Sequence, residues 1–292
     1  MDDLRPAFFC YPSIFSLTFL NLWVRVYRLP LSAIVLSTVA GFDKGQPLPF
    51  WKVAVRTITK SGWRYAWYEF SFTTVAELLV IISVPLRTLG ILKQRLLSFA
   101  ELAEATGATL LRTRDFSAAR TLGLLDAQRA SVGVSVFNNQ IFRAPAIEFF
   151  RTAKGLVNFH PALLPDFRGS DPIVPALVRE HSEIGMTLHE VNLGIDTGDI
   201  LLQERIAVDR NDSAFTLNYK AWVLGAQMLA RYFDSIRNDG SSDPIVPAGQ
   251  SDLPVRFGYC SFPTRATVEE LRRRGRRLGS LGELAKSAWR IG

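Results

Sequence analysis

Two polar side chains whose chemistry suits acyl transfer lie at the end of a short apolar segment. In "LVNFHPALLPDFRG", residues 156–169, Asn158 and His160 are separated by one residue and Pro161 follows. Successive side chains of a strand point to opposite faces, so this spacing places both side chains on one face. An amide N–H can stabilise an oxyanion, and an imidazole can move a proton or stabilise charge. The pair therefore suits acyl transfer, while a capping asparagine beside a hydrogen-bonded core histidine explains it equally well.

A carboxylate that could orient His160 follows later in the chain. The segment "TLHEVNLGIDTGDIL", residues 187–201, places His189 on a predicted strand and Asp196 in a glycine-flanked turn. A carboxylate beside an imidazole keeps the imidazole protonated to higher pH. Taken alone, this turn carries little information, because most such sequences are only turns.

These residues lie within a chain that alternates predicted strands and helices. Strands are predicted at 7–12, 32–38, 109–113, 132–137 and 155–160, and helices at 14–28, 98–107, 116–129 and 143–153. A strand, a helix and a second strand form a β-α-β unit, from which parallel sheets are built. We therefore expect an α/β fold with a Rossmann-like, mostly parallel sheet and helices on both faces. Pro161 and Pro165 turn the chain out of this sheet at the carboxyl end of the Asn158 strand, where open α/β sheets place their sites.

Polar residues at the predicted helix starts refine the boundaries. Ser98, Ser117 and Asp171 are predicted N-caps, and "TVEE" at 267–270 is predicted to open a further helix. The elements predicted after the Asn158 strand are a helix at 171–180, strands at 185–191 and 199–208, a long amphipathic helix at 213–236 and a strand near 255–262.

The predicted elements divide the chain into one domain and a short extension. Residues 1–236 form the domain, and residues 43–98 interrupt its alternation with an aromatic and basic insertion. Within this insertion we expect two helices, broken near Gly62. Residues 237–292 are too few to fold alone, so we expect them to pack on the domain as a small C-terminal extension.

The composition is that of a folded, basic protein. Of 292 residues, 48% are hydrophobic, and 34 Lys and Arg outnumber 27 Asp and Glu, which gives a net charge of +7. Such a balance suits an anionic substrate, nucleic acid or a membrane surface. Much of the excess is local: basic residues recur every four positions from Lys52 to Arg64, and "LRRRGRR" at 271–277 contains five arginines. Solvated helix faces are the simplest interpretation of both.

Neither the cysteines nor the apolar segments indicate a secreted or membrane-spanning protein. Cys10 and Cys260 are far apart, which provides no disulfide framework and no metal-binding spacing, and favours a cytoplasmic location. The uncharged run at 6–24 lacks the basic lead of a signal peptide and is typical of a strand followed by a helix. A second run, at 78–86, is too short to cross a bilayer. We therefore expect no membrane span, although the insertion is compatible with contact to a membrane surface.

The two segments that carry Asn158, His160 and Asp196 resemble the folate-dependent formyltransferases. This family includes glycinamide ribonucleotide, methionyl-tRNA and nucleotide-sugar N-formyltransferases and a related formyltetrahydrofolate hydrolase. The resemblance rests on "NFHPALLPDFRGSDPI" (158–173) and "GMTLHEVNLGIDTGDILLQ" (185–203), and on the step from His160 to Asp196. It is strong over 130–215, weaker before that, and not evident over 43–98. It implies 10-formyltetrahydrofolate as co-substrate, a primary amine as acceptor and no metal.

The resemblance also implies a role for each matching residue. Asn158 would hold the developing oxyanion, His160 would stabilise it and shuttle protons, and Asp196 would keep His160 charged or relay the amine's proton. The family binds its pterin with the loop ahead of the Asn strand and the turn before the Asp. The implied cofactor contacts are therefore Gln140, Ile141, Phe142, His189, Leu193, Gly194 and Ile195, and the implied substrate contacts are Arg168 and Gly169.

Departures from the family pattern narrow the range of acceptor substrates that we expect. The turn after the first strand, "CYPSIFS" at 10–16, lacks the glycine loop with which glycinamide ribonucleotide enzymes cradle phosphate. Residues 237–292 are fewer than the C-terminal domain that grips tRNA in methionyl-tRNA enzymes, which disfavours tRNA without excluding it. We therefore expect an N-formyltransferase acting on a small amine, such as an amino sugar on a nucleotide or a natural-product intermediate. The alternatives are a methionyl-tRNA formyltransferase, a formyltetrahydrofolate hydrolase and a non-catalytic folate-binding scaffold, and a homodimer is compatible with each.

Overall fold

A seven-stranded sheet runs through the protein, whose computed structural model describes residues 4–43, 45–88, 96–239, 250 and 253–289. The strands are β1 (Pro6–Cys10), β2 (Ala33–Ser37), β3 (Gly41–Asp43), β4 (Gln46–Leu48), β5 (Thr109–Thr113), β6 (Val132–Val136), β7 (Leu156–His160), β8 (Glu183–Glu190) and β9 (Ile200–Ala207). The sheet order is β5-β2-β1-β6-β7-β8-β9, and β3 pairs separately with β4. The strands from β5 to β7 are parallel, whereas β8 is antiparallel to both of its neighbours. The predicted mostly parallel sheet is therefore confirmed.

Helices cover both faces of this sheet. They are α1 (Ile14–Asn21), α2 (Phe50–Ser61), α3 (Trp63–Phe70), α4 (Ala76–Thr88), α5 (Phe99–Thr106), α6 (Ala119–Ala127), α7 (Ala144–Arg151), α8 (Ile173–Val178), α9 (Ala214–Asp239), α10 (Arg265–Arg273) and α11 (Leu281–Trp289). A π-helical turn, Leu22–Val26, continues α1, and another, Ser71–Val75, joins α3 to α4. The larger apolar cluster lies on the side of α1 and α9, and the smaller one on the side of α6 and α7.

The apolar run at 6–24 belongs to the core. Every residue of β1 is buried, because this central strand has helices on both faces: Phe8 and Cys10 enter the larger cluster, and Ala7 and Phe9 the smaller one. Every residue of α1 is buried as well, including the polar residues Ser16, Thr18 and Asn21. The prediction of a strand followed by a helix is confirmed.

The insertion forms the β3–β4 pair and the helices α2, α3 and α4. The predicted break lies at Gly62, whose φ of +87° ends α2 and is readily adopted only by glycine. The run at 78–86, which alone is too short to span a bilayer, continues the α3 helix. In the part of the chain that the structure describes, Trp63–Pro85 is the one helical stretch with the length and apolar character of a span, and 33% of its most apolar 18-residue window is buried in the protein.

Two predicted helix starts are wrong in detail. Helix α6 begins after Ala118, and the Ser117 hydroxyl instead accepts the backbone N–H of Arg143 over 2.9 Å. Ser117 therefore joins two loops rather than capping a helix. Helix α10 begins at Arg265 because the Thr264 hydroxyl, not Thr267, caps its first turn. The predicted capping box of Ser98 and Glu101 on α5 is confirmed.

Two further elements also differ from the expectation. Helix α8 begins two residues after Asp171, although hydrogen bonds from the backbone of Ile173 and Val174 still reach the Asp171 carboxylate. In place of the strand expected near 255–262, the structure has one isolated β-bridge, between Gly169 and Cys260. The extension packs α10 against α8 and α2, and α11 against α1, α4 and α9.

Candidate active site

Asn158 and His160 lie at the carboxyl end of β7, on the same face. Phe159 between them points to the opposite side and packs 5.3 Å from the Phe19 ring, as predicted. The antiparallel register sets His189 of β8 directly opposite Asn158 and Thr187 opposite His160. Side chains opposite one another in a sheet share a face, so His189 joins the same cluster.

The Asp196 carboxylate lies between the two imidazoles. Its Oδ2 is 3.6 Å from His160 Nδ1, and its Oδ1 is 3.5 Å from His189 Nε2. The Gly169 backbone N–H donates to Oδ2 over 2.8 Å. Asp196 has a φ of +51°, which reverses the turn after β8 so that the side chain points back over β7.

The electrostatics of the cluster keep Asp196 ionised. Burial alone would raise the pKa of Asp196, but the two histidines and the Gly169 N–H outweigh burial and hold the pKa well below its ordinary value. Burial lowers the pKa of His160, and the Asp196 carboxylate opposes that shift. His160 therefore has a neighbour that stabilises its cation whenever it receives a proton.

Hydrogen bonds to the backbone orient both imidazoles. His160 Nε2 is 2.8 Å from the Phe167 carbonyl oxygen, and His189 Nδ1 is 2.6 Å from the Glu190 carbonyl oxygen. Because a carbonyl oxygen only accepts, both of these ring nitrogens carry a proton and donate. In the neutral rings, Nδ1 of His160 and Nε2 of His189 are therefore the basic nitrogens, and both face Asp196.

His189 contacts the Asn158 amide, a contact that the sequence did not predict. The resemblance implied a contact to the cofactor, but the ring is 2% exposed and its Nε2 lies 3.1 Å from Asn158 Nδ2. Asn158 Nδ2 is also 3.4 Å from Asp196 Oδ1. His189 thus fixes the direction of the Asn158 amide. The sequence signal for this is the register of β7 and β8, which pairs the two residues.

The loop after β6 holds the first group of predicted cofactor contacts. Gln140 Nε2 donates to Ser37 Oγ over 2.8 Å, and Gln140 Oε1 accepts the Phe116 N–H over 3.1 Å, so this side chain braces the loop. Phe142 is buried and stacks on Phe116, 5.8 Å between ring centroids. Ile141 is 69% exposed. The Gln140 and Phe142 side chains therefore serve the fold, and of the three only Ile141 presents its side chain to solvent.

The turn before Asp196 holds the second group of predicted cofactor contacts. Leu193 and Ile195 are exposed, and Gly194 donates its N–H to Asn192 Oδ1 over 2.9 Å. Asn192 Oδ1 also accepts from Thr197 Oγ1 over 2.7 Å, which closes the turn. The turn thus presents apolar side chains beside the polar cluster.

Arg168, a predicted substrate contact, is held by the C-terminal extension. Its Nη2 donates to Gln250 Oε1 over 2.9 Å, and Gln250 Nε2 donates to the Gly198 carbonyl oxygen over 2.6 Å. The Nε atom of Arg168 is buried and has no hydrogen-bond partner among the residues that the structure describes.

Gly169, the other predicted substrate contact, joins this loop to the extension through its backbone. The Arg168 carbonyl accepts the Cys260 N–H over 2.6 Å, and the Cys260 carbonyl accepts the Ser170 N–H over 2.9 Å. The φ of Gly169 is +111°, and a Cβ at this position would overlap the Cys260 carbonyl oxygen. Because the Gly169 N–H donates to Asp196, this contact also sets the position of the carboxylate.

Comparison with known proteins identifies the family. A family model described as formyl transferase matches residues 75–232, which is more than half of the chain. The chain belongs to the formyl transferase family. The matched segment contains Asn158, His160, His189 and Asp196, the four residues of the cluster.

Relatives within the formyl transferase family resemble parts of the chain. A methionyl-tRNA formyltransferase from Ehrlichia ruminantium (strain Gardel) is 39% identical over 98 residues, which cover 34% of this chain and 30% of that protein. A GDP-perosamine N-formyltransferase from Brucella melitensis biotype 1 is 45% identical over 120 residues, which cover 40% of this chain and 45% of that protein. The chain thus spans less than half the length of each of these relatives.

Solved structures of formyltransferases share the fold. A phosphoribosylglycinamide formyltransferase from Anaplasma phagocytophilum matches with a TM-score of 0.54 and 15% identity, over 89% of this chain and 100% of that one. A 4-N formyltransferase from Francisella tularensis matches with a TM-score of 0.51 and 16% identity, over 89% of this chain and 78% of that one. At these identities the matches show the fold alone.

A hydrogen-bonded group that the sequence did not predict joins the insertion to the loop that carries Arg168 and Gly169. The Tyr65 hydroxyl of α3 lies 2.7 Å from Asp171 Oδ2 and 2.9 Å from Glu69 Oε1. A hydroxyl carries one proton, so Tyr65 donates to one carboxyl group and accepts from the other. Burial raises the pKa of Asp171, but hydrogen bonds from Tyr65 and from the backbone of Val174 and Ile173 oppose that shift, so Glu69 is the protonated partner. Burial raises the pKa of Glu69 to about 8, and the Asp171 charge adds to the shift.

This shared proton predicts how stability varies with pH. Folded Glu69 keeps its proton up to about pH 8, whereas the ordinary value for the side chain is 4.5. Between these values the folded state binds more protons than the unfolded state, so the free energy of unfolding falls as the pH rises. Glu69→Gln, which cannot ionise, should remove this part of the fall, on the order of a few kcal/mol. Urea unfolding across this pH window measures the difference, with the exposed Glu269→Gln as the control. Identical pH slopes for Glu69→Gln and the parent would contradict the shared proton.

Proposed function

We propose that this protein transfers the formyl group of 10-formyltetrahydrofolate to a primary amine of a small molecule. The observation that carries the proposal is the Asp196 carboxylate between two imidazoles, with the Asn158 amide beside it, over the carboxyl end of β7. An amino sugar on a nucleotide is the acceptor class that we favour. The net charge of +7 and the arrangement of Arg168 suit an anionic acceptor.

The cluster provides each function that amide formation needs. One N–H of the Asn158 amide lies against His189, and the other, whose 3.4 Å contact to Asp196 is long, would turn to donate to the carbonyl oxygen under attack, where negative charge develops. His160 Nδ1 takes a proton from the attacking amine, because its Nε2 is already bound to the Phe167 carbonyl. Asp196 then stabilises the charged imidazole, and the same proton returns to the departing nitrogen. One C–N bond forms and another breaks, so the reaction needs no oxidant or reductant.

The residues around the cluster fit a pterin. 10-Formyltetrahydrofolate supplies the activated formyl group when it is bound. Ile141, Leu193 and Ile195 are exposed apolar side chains that can cover a flat ring. In the loop after β6, Asn139 Oδ1 is buried and has no hydrogen-bond partner among the described residues, so it can accept from ring or amino N–H groups. Asn139 lies in the loop that the resemblance implied, but its unpartnered oxygen is visible only once the loop is folded.

Methionyl-tRNA is the second acceptor that specific observations favour. The Ehrlichia ruminantium relative is a methionyl-tRNA formyltransferase, and five arginines lie between 272 and 277. A small amine remains the leading proposal because the Brucella melitensis relative, a GDP-perosamine N-formyltransferase, matches a longer segment at higher identity.

A single assay separates these functions. The protein is incubated with 10-formyltetrahydrofolate and, separately, with amino sugar nucleotides, other amine metabolites, charged tRNA or no amine, and tetrahydrofolate release is followed. Release with a small amine supports the proposal, whereas release only with charged tRNA supports the methionyl-tRNA activity. Release of formate without any amine indicates a hydrolase. An absence of release with every amine and with water indicates a non-catalytic scaffold.

Asn158→Ala tests the role of the cluster in this assay. Loss of one oxyanion donor should lower kcat by about a hundredfold to a thousandfold. The exposed Asn211→Ala is the matched control and should retain the parent rate. Both variants should unfold at temperatures close to that of the parent, because neither side chain fills the core. Near-full activity of Asn158→Ala would show that the catalytic assignment is wrong.

A further inference from the structure

The insertion concentrates apolar side chains on the surface of the protein. Phe50, Trp51, Val55 and Ile58 of α2 are between 42% and 62% exposed. Trp63 and Trp67 of α3 are 64% and 48% exposed. Leu78, Leu79, Ile81 and Ile82 of α4 are between 45% and 60% exposed. Helix α2 packs against α3, and α3 continues through the π-helical turn into α4, so we refer to these ten exposed side chains as the apolar patch. Large exposed apolar surfaces mark sites of interaction with a protein or a membrane.

Helix α2 carries its apolar stripe on the outside. At 3.6 residues per turn, Trp51, Val55 and Ile58 share one side, and Lys52 lies on the adjoining side. Two other residues of α2 face the protein. The Val53 side chain lies close to Gly41, and Ser61 is buried. A helix of a water-soluble surface shows the reverse arrangement, with polar residues outward.

The stretch from α3 to α4 lies along the protein instead of crossing a bilayer. Its inner side chains Tyr65, Tyr68, Phe72 and Val80 are buried in the larger apolar cluster. A helix with one side bound to this core cannot also be surrounded by lipid. Its outer side chains remain available to a surface, and Trp63 begins that outer row.

Basic groups border the apolar patch. Lys52 Nζ lies 5.4 Å from the centroid of the Trp51 ring, and the Arg64 guanidinium lies 5.0 Å from that of Trp63. Beside α3, a cleft of about 450 Å³ is lined by Trp63 and Trp67 and by arginines of the 272–277 run. Tryptophan and cationic side chains together are typical of the boundary between lipid headgroups and acyl chains.

We propose that this patch, together with its basic border, binds the surface of an anionic phospholipid membrane. The apolar side chains would enter the headgroup boundary while Lys52, Arg64 and the cleft residue Arg272 meet lipid phosphates. A second copy of the chain is a weaker candidate for the partner that covers this patch. In a two-fold dimer the patch would meet its own copy, so the basic residues of the two copies would repel each other. Membrane binding is independent of the chemistry at Asp196 and of the identity of the acceptor.

Vesicle binding of the full-length protein tests this proposal. Phosphatidylcholine vesicles with and without phosphatidylglycerol are sedimented with the protein at low and high salt. We expect binding that needs phosphatidylglycerol and weakens with salt. Lys52→Glu with Arg64→Glu should lower the partition coefficient at least about tenfold, since each basic residue contributes several-fold. Trp51→Ser with Val55→Ser should lower it about tenfold by removing buried apolar area.

Control variants on α6 give the comparison. Arg120→Glu and Leu124→Ser make the same kinds of change at exposed positions on another helix, and they should bind vesicles like the parent. The proposal would be overturned if Lys52→Glu with Arg64→Glu and Trp51→Ser with Val55→Ser both bound vesicles as strongly as the parent. A lipid-free dimer that Trp51→Ser with Val55→Ser converts to a monomer would also overturn it, since a second copy would then cover the patch.

Discussion

Asp196→Asn should reduce kcat/KM for formyl transfer by about a thousandfold, the range expected when general acid–base catalysis is lost. The substitution keeps the size of the side chain and removes its charge. The amide oxygen of the variant could still accept the Gly169 N–H, so the turn should fold, but a neutral amide could not stabilise a protonated His160. Because Asp196 opposes the effect of burial on the pKa of His160, its loss should lower that pKa further.

Two measurements distinguish this result from a structural defect. The matched control is Asp199→Asn, an exposed carboxylate three residues away that should leave the rate unchanged. The pH–rate profile of Asp196→Asn should also move its His160 limb to lower pH, which simple unfolding would not do. A variant that keeps more than about a tenth of the parent kcat/KM would contradict the role of Asp196.

Gly169→Ala should lower the free energy of unfolding by about 3 kcal/mol or more and abolish transfer. Alanine is strained at a φ of +111°, and its Cβ would overlap the Cys260 carbonyl oxygen and lie 2.8 Å from the Tyr259 ring. The loop would have to move away from the extension. That movement would withdraw the Gly169 N–H from Asp196, so stability and activity should be lost together.

Gly275→Ala is the matched control for this prediction. Gly275 has a φ of +70°, and a Cβ there would meet no atom within 4 Å. Its cost should be only that of the backbone conformation, about 1 kcal/mol, with activity retained. Urea unfolding of both variants measures the difference. Equal costs at the two glycines would show that the contact between Gly169 and Cys260 is not tight in solution.

The sequence predicted the strand and helix order and the Asn158–His160 pair because both depend on local periodicity. Alternation of apolar residues and a proline break are enough to place two side chains on one face at a strand end. Asp196 came from its motif and not from geometry, since a turn residue has no periodic signal. The predicted start at Thr267 was wrong because the nearby Thr264 hydroxyl caps α10, and the predicted cap at Ser117 was wrong because its hydroxyl accepts the Arg143 N–H from another loop.

Contacts between distant residues could not be predicted from the sequence. His189 reaches Asn158 only because β8 returns antiparallel beside β7 in one register, and no local pattern specifies that register. Tyr65 reaches Asp171 across 106 positions of the chain. The amphipathic pattern of α2 was visible in the sequence, but whether its apolar side faces the core or the solvent depends on what packs against the helix.

The backbone hydrogen bonds between residues 168–170 and Cys260 have a consequence for how this protein can evolve. Cys260 donates a backbone hydrogen bond to Arg168 and accepts one from Ser170. The same loop donates the Gly169 N–H to Asp196, so the C-terminal segment helps to hold that contact in place. Recombination that exchanged the segment after α9 with that of a relative would separate two halves of a single contact. We therefore expect a change in the segment after α9 to need a compensating change in the loop of residues 168–170.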